Sequence, residues 1–327
     1  MPFPVTYVLD HLAPSETFIR REIEQLRNRN WPIFTRLLNG GVDALHYSLL
    51  SCPEGMRVRL FRSAFARVSQ ELLRDPAAAL RILRRIPQAA DLAAKVLETD
   101  SVLIHAHFAG ITADIASIVS ATTGVPWTCS VHARDVFTAE ARATGHRLRT
   151  ASAVTACSRL AATAVTDAGI APDKVVMIHH GIHLNDFPFD TIQPDGTVLA
   201  ACRLEPKKGV DTLIKACALL KAHDVGFSCV IAGDGPMRAS LVKLSRRLGV
   251  VDTVDFIGWQ SQEETRSQLI DTSLLVLPSR VAPDGDRDGI ANVLVEAMAL
   301  GTPILTTTAS AASEIVADSV NGILVPP

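Results

Sequence analysis

Asp288 and Glu296 stand eight positions apart, on either side of an expected helix start, and Gly301-Thr302-Pro303 then turns the chain into the apolar Ile304-Leu305. Taken alone, this reads as a ligand-binding strand–loop–helix–strand unit. Upstream, Arg203-Leu204-Glu205-Pro206-Lys207-Lys208-Gly209 places cations between a strand and the next helix. A guanidinium grips two phosphate oxygens in a fork, and an ammonium supplies a compact point charge. Both would neutralise the charge growing on a departing diphosphate. Cations in a first helical turn oppose a dipole that favours anions there, so the lysines invite a functional reading. Two cations for a diphosphate, with carboxylates for sugar hydroxyls, imply a nucleotide-sugar site.

Gly289 would let the backbone approach a ligand closely, and a helix from about Ala291 would present its first N–H groups to phosphate or sugar oxygens. Asp288 could accept hydroxyl protons, and Glu296, on the second turn, could reach ribose hydroxyls. The segment by itself equally allows Asp288 as a helix cap and Glu296 as an ion-pair partner.

These residues need strands and helices to hold them. At 327 residues the chain is long enough for two domains. Strand-like runs at 5–9, 102–104, 127–131, 153–156 and 175–178 alternate with helical stretches at 16–29, 112–121 and 159–168. Residues 56–98 read as wholly helical. The segment Phe187-Pro188-Phe189-Asp190-Thr191-Ile192-Gln193-Pro194-Asp195-Gly196 has linker composition. Beyond it the rhythm restarts, with strands at 197–201, 228–232, 254–257 and 274–277, and helices at 209–222, 236–248, 262–270 and 291–300. The expectation is α/β: two doubly wound parallel sheets facing across a cleft, with ligands beyond the carboxyl ends of strands. The domains are expected at 1–188 and 189–327.

A net charge of −2 argues against a nucleic-acid binder. Six cysteines without C-x-x-C spacing read as buried free thiols in a reducing compartment. No signal-peptide pattern opens the chain, and no apolar run reaches the ~20 residues that span a bilayer. A cytoplasmic protein is expected. No G-x-G-x-x-G follows a strand, which disfavours an NAD-dependent enzyme.

The ordered blocks resemble the retaining family 4 glycosyltransferases of GT-B fold, in the branch that builds exopolysaccharides of colanic-acid type. The blocks are Ser15-Glu16-Thr17-Phe18-Ile19, His105-Ala106-His107-Phe108, His132-Ala133-Arg134-Asp135-Val136-Phe137, Thr155-Ala156-Cys157-Ser158, His180-Gly181-Ile182, Ala232-Gly233-Asp234-Gly235-Pro236 and Phe256-Ile257-Gly258-Trp259. Their E-x7-E signature corresponds to Asp288 and Glu296. The resemblance implies transfer of a sugar from a nucleotide-diphosphate donor to a hydroxyl of a glycan or lipid-linked glycan, with retention of configuration. Arg203 and Lys208 would bind the diphosphate and Glu296 the ribose. Asp288, with the backbone of Gly289, Ile290 and Ala291, would contact the donor sugar. His132 would meet that sugar from the first domain, and Ser15, Glu16 and Thr17 would face the acceptor. On spacing alone His132 is an ordinary strand-end histidine and Ser15 a helix cap.

The chain departs from the family pattern in places. Asp288 replaces a Glu, His183 an Asp, and Ser310-Ala311-Ala312-Ser313 the frequent Gly-Gly-Xaa-Pro. Relatives continue past Pro327 with further helices, so the second domain is expected to lack its usual final ones. Asp284-Gly285-Asp286 spells the metal motif of another glycosyltransferase fold but lies in an Asp/Gly/Pro-rich loop, where two carboxylates make a poor cation site. No metal and no cofactor are expected.

Arg57, Arg59, Arg62, Arg67, Arg74, Arg81, Arg84 and Arg85 meet only Glu71 and Asp75 over the same interval, interleaved with Val58, Leu60, Phe61, Phe65, Val68, Leu72 and Leu73. A face docking on the anionic inner surface of the membrane and a solvated helical face both fit this pattern. Two rivals to the transferase reading stay open: a nucleotide-sugar epimerase of the same fold, and a non-catalytic or truncated binding homologue.

Overall fold

The computed structural model describes residues 3–10, 16–38, 53–138, 141–189 and 196–327. The chain divides into two compact units, Met1–His179 and His180–Pro327. Phe187, at the start of the linker-like segment, is buried in the second unit's core.

The first unit carries six parallel strands: β1 (Val5–Leu9), β2 (Ile33–Leu37), β3 (Leu103–His107), β4 (Trp127–Val131), β5 (Ala153–Ala156) and β6 (Val175–Met177). Their order is β2-β1-β3-β4-β5-β6. The order reverses between β1 and β3, and such a reversal opens a crevice at the carboxyl ends of the strands. Helix α1 (Thr17–Asn28) joins β1 to β2. The stretch expected as one helical run is three helices, α2 (Glu54–Leu72), α3 (Pro76–Arg84) and α4 (Ile86–Glu98). Asp75 makes the first break: its carboxylate caps α3 by accepting from the Ala78 N–H at 3.0 Å, with Pro76 at the first helical position. Helix α5 (Ile111–Thr123) follows β3, the short α6 (Ala133–Phe137) and α7 (Ala141–Leu148) follow β4, and α8 (Arg159–Asp167) follows β5.

Parallel strands buried on both faces are normally apolar throughout. In β3 the alternation splits the faces instead. Ile104 and Ala106 enter the main core with Ile115, Trp127 and Val154, while His105 and His107 point the other way. Arg67 is an exception to the basic surface expected of α2. It is 7% exposed and bonds Asp114 of α5 through Nε at 2.9 Å. Glu71, 1% exposed, and Arg147 complete this buried network. Arg67 therefore fastens α2 to α5 and faces no lipid.

The second unit repeats the plan with β7 (Thr197–Ala201), β8 (Ser228–Ala232), β9 (Val254–Gly258), β10 (Leu274–Leu277), β11 (Ile304–Thr307) and β12 (Ile323–Val325). The strand order β12-β11-β10-β7-β8-β9 reverses between β7 and β10. Helices α9 (Val210–Ala222), α10 (Arg238–Arg247), α11 (Gln262–Ile270) and α12 (Asn292–Leu300) connect them. One apolar cluster, with Leu275, Leu294 and Ala297, and another, with Ile214, Ile231 and Leu241, make up its core. Among the described residues no helix is long and apolar enough to cross a membrane. The five described cysteines are free thiols, four of them buried; Cys52 lies outside the described residues.

Candidate functional site

In the second unit the candidate residues gather where the strand order reverses. The chain leaves β7 through Arg203, forms a 3-10 turn at Pro206–Lys208 and enters α9 through Gly209. Gly209 has φ +63°, and a Cβ there would lie 1.9 Å from the Pro278 carbonyl oxygen just past β10. Only glycine lets these two loops approach so closely. That approach brings Lys207 and Lys208 against the loop carrying Asp286 and Asp288.

The Lys208 ammonium lies 2.8 Å from Asp288 Oδ2, which also accepts the Ser279 hydroxyl at 3.0 Å. Lys207 Nζ is 2.9 Å from Asp286 Oδ2 and 3.8 Å from Asp288 Oδ1. Asp288 is 6% exposed. Burial alone would raise its pKa, but Lys208 and then Lys207 outweigh it and hold the carboxyl below its ordinary value. Burial likewise pushes the Lys208 ammonium toward neutrality, and the Asp288 charge reverses this and raises its pKa. Each group keeps the other ionised. The dipole conflict raised by lysines ahead of a helix is thus resolved by carboxylates from a different loop.

Asp288 does not cap α12, whose N-cap is Ala291. Gly289 is buried and Ile290 and Ala291 partly so; the chain bends at Gly289-Ile290, and Ala291 is extended as it enters the helix. Glu296 sits on the next turn, 6% exposed. Arg203 differs from the lysines: its side chain is 55% exposed and pairs with Glu205 at 3.2 Å. The Asp284-Gly285-Asp286 carboxylates are engaged within the protein, one across to the loop after β7 and one within its own loop. Asp286 holds Lys207, and Asp284 accepts the Asp286 N–H at 3.1 Å. Lys207 and Ser279 are the partners that sequence reasoning did not assign, since nothing local announces which loop a lysine will meet.

In the first unit His132 follows β4 and is the N-cap of α6, its backbone N–H donating to the Asp135 carboxylate at 2.8 Å. It is 8% exposed. The rings of Phe18 and Phe108 lie 4.8 and 4.6 Å from it. Phe108 holds φ +69°, a left-handed conformation rare for a bulky residue. Behind His132 lies a largely buried polar group, with Glu22 partly exposed, to which the sequence reading gave no role although His105-Ala106-His107 was among its family blocks. His105 contacts the Thr128 and Ser130 hydroxyls at 2.8 and 3.0 Å. Burial pushes its pKa down to about 4, so the ring is neutral at pH 7. Tyr7 donates its hydroxyl to Glu22 at 2.7 Å. Burial raises the Glu22 carboxyl, with the Tyr7 bond opposing it. The readable signal was His105-Ala106-His107, a spacing that puts both rings on one face of a strand. On the proposed acceptor side, Glu16 is the N-cap of α1 without a side-chain bond to the helix, Thr17 is its first residue, and Ser15 lies outside the described residues.

Known proteins bear on this architecture. Residues 15–186 match the family described as Glycosyltransferase Family 4, and residues 185–327 that described as Glycosyl transferases group 1. The amylovoran biosynthesis glycosyltransferase AmsK of Erwinia amylovora is 32% identical over 161 residues, covering 48% of this chain and 40% of that protein. The lipopolysaccharide core biosynthesis glycosyltransferase LpsE of Rhizobium meliloti is 35% identical over 136 residues, covering 42% and 36%. The aligned stretches thus span less than half of each relative. Among solved structures, Anabaena Alr3699/HepE in complex with UDP-glucose superposes with a TM-score of 0.71 at 21% identity, covering 99% of this chain and 85% of that one. Sucrose-phosphate synthase from Thermosynechococcus elongatus gives 0.73 at 19%, covering 99% and 86%. These likenesses identify the two-sheet architecture as the GT-B fold, and by the match over residues 15–186 the chain belongs to glycosyltransferase family 4.

Proposed function

We propose that this chain is a retaining glycosyltransferase that moves a sugar from a nucleotide-diphosphate donor to a hydroxyl of a glycan or polyprenyl-linked glycan, in exopolysaccharide or cell-surface polysaccharide synthesis. The observation that carries this reading is the Lys208–Asp288 pair at the strand-order reversal, between the exposed Arg203 and the start of α12. An ammonium has three donors. Asp288 directs it and keeps it charged, and the remaining donors can turn to phosphate oxygens. Arg203 adds a guanidinium fork and the start of α12 adds backbone N–H groups. Together they stabilise the leaving diphosphate. Glu296 is assigned the ribose, and Asp288 with Gly289, Ile290 and Ala291 the donor sugar. His132 is assigned a contact to that sugar, and the Ser15–Thr17 segment the acceptor.

The reaction is proposed to need no metal or cofactor, because the cations and the helix start answer the diphosphate charge. Attack from the face the leaving group departs from, assisted by its phosphate, fits the absence of any assigned side-chain nucleophile. A thermal-shift screen against UDP-, GDP- and ADP-sugars, followed by a transfer assay on the stabilising donor, tests the reading. Stabilisation by none of the three would overturn it. The commitment of Asp288 to two lysines favours, as second reading, a homologue that binds donor without transferring. Donor binding without turnover, restored by Asp288→Glu, would mark that case.

Peripheral contact with anionic lipid belongs to the same proposal. Val58, Phe61, Phe65 and Leu72 are exposed at spacings that place them on one face of α2, and Arg59, Arg62, Arg74, Arg81 and Arg84 are exposed on α2, α3 and their junction. A lipid-linked acceptor would be met at such a surface on the inner face of the membrane.

A further inference from the structure

His107 and His132 face each other edge to edge. Their ring planes differ by 12°, and His107 Nδ1 is 3.4 Å from His132 Nε2. Two imidazoles in one plane can share a hydrogen bond only if one nitrogen carries the proton and the other does not. A carboxylate on the far side, within ion-pair range though beyond hydrogen-bond distance, biases the direction. His107 Nε2 lies 3.7 Å from Glu22 Oε2, and the other Glu22 oxygen accepts from Tyr7. A carboxylate beside an imidazole nitrogen draws the proton to that nitrogen. His107 then offers Nδ1 as an acceptor, and His132 must give its Nε2–H. Phe18 and Phe108 pack close to the His132 ring and resist its rotation.

We propose that Glu22 and His107 are positioning residues that lock His132 in its Nε2-protonated form, with that edge turned inward to His107. Nδ1, buried on the α6 side of the ring, is then the lone-pair nitrogen, and the ring a reacting sugar would meet in transfer is held in one orientation. The catalytic consequence, though not the tautomer itself, rests on the sugar contact proposed for His132. Tyr7 supports the arrangement by fixing the Glu22 carboxylate. His105 stands apart from it, since its two nitrogens are met by Thr128 and Ser130.

The test is nitrogen NMR of the full chain labelled with 15N-histidine, with the His132 signals identified by their loss in His132→Asn. The native spectrum should show His132 and His107 protonated at Nε2. Protonation of His132 at Nδ1 would overturn the proposal without any variant being needed. His107→Asn keeps an acceptor oxygen near the Nδ1 position and should preserve the His132 form, whereas His107→Leu should yield a mixture of forms. An unchanged His132 signal in a folded His107→Leu chain would also overturn it. In transfer assays His107→Leu should lower kcat about tenfold with donor KM within twofold, and His107→Asn should recover most of the loss. A chain with the expected tautomers and no transferase activity would sink the proposed function and leave the positioning role intact.

Discussion

Lys208 and Asp288, 80 positions apart in sequence, meet at 2.8 Å between the loops that follow β7 and β10. Neither charge is accessible enough to be solvated alone, so removing one partner leaves the other buried without its counter-ion. Asp288→Ala should therefore lower stability by about 3–5 kcal/mol. Asp288→Asn, which can keep the Ser279 bond, should lose less. Denaturant midpoints of the two variants check the order.

Arg203 should behave in the opposite way. Its side chain is 55% exposed and its partner Glu205 is a near neighbour, so Arg203→Ala should change stability by no more than about 0.5 kcal/mol. If it grips the donor diphosphate, the same change should cost about 2 kcal/mol of donor affinity, near thirtyfold. Calorimetric titration with a nucleoside diphosphate separates the two effects.

His105 predicts a pH dependence. Its pKa is pushed down to about 4 by burial, against an ordinary value of 6.5. Between those values the unfolded chain binds a proton that the folded chain does not, so stability rises with pH across this window. Its share should grow by about 3 kcal/mol from pH 4 to pH 7. His105→Gln should flatten that slope relative to the native chain. Parallel slopes from urea melts of the two proteins would contradict it.

Gly209 should tolerate no side chain. With φ +63° and the Pro278 carbonyl 1.9 Å from any Cβ, Gly209→Ala strains the backbone and separates the two loops. A loss of about 3 kcal/mol is expected. Weaker donor binding should accompany it, because Lys208 would be displaced from Asp288. Melting temperature with and without UDP measures both.

The α2 face makes a separate prediction. Phe65, 75% exposed, and Phe61, 50% exposed, should insert into lipid if this surface docks. Changing both to Asp should abolish sedimentation with anionic vesicles while leaving the melting temperature within a few degrees. Equal binding of the native chain to neutral and anionic vesicles would remove the electrostatic part of the proposal.

Much of the scaffold could be read from sequence, for a physical reason. The central strands at 127–131, 153–156, 197–201, 228–232 and 274–277 are short, largely apolar runs, and they lie at those residues. The edge strands β2 and β12 were not expected. Ile33-Phe34-Thr35-Arg36-Leu37 is half exposed with a mixed pattern, and Ile323–Val325 is only three residues long. The helical break at Asp75-Pro76 was readable as a cap followed by an N1 proline, and the continuous apolar pattern obscured it. At the site, the residue types and their loops were legible. Pairings were not, because Lys207 with Asp286, Lys208 with Asp288 and Ser279, and Arg67 with Asp114 are set by which loops and helices the sheet brings together. Arg67 shows the cost: sequence counted it among surface cations, and it is a buried anchor.

The set Lys207, Lys208, Asp286 and Asp288 sums to zero formal charge, although its oppositely charged parts lie close together. Seen from beyond a Debye length it exerts almost no pull on an anion. Long-range steering of a donor would have to come from charges outside this set, and the quartet would act only once phosphate oxygens are within bonding distance. Such a site selects by the direction of its donors and not by attraction, so inorganic phosphate should compete poorly with a nucleoside diphosphate whatever the ionic strength.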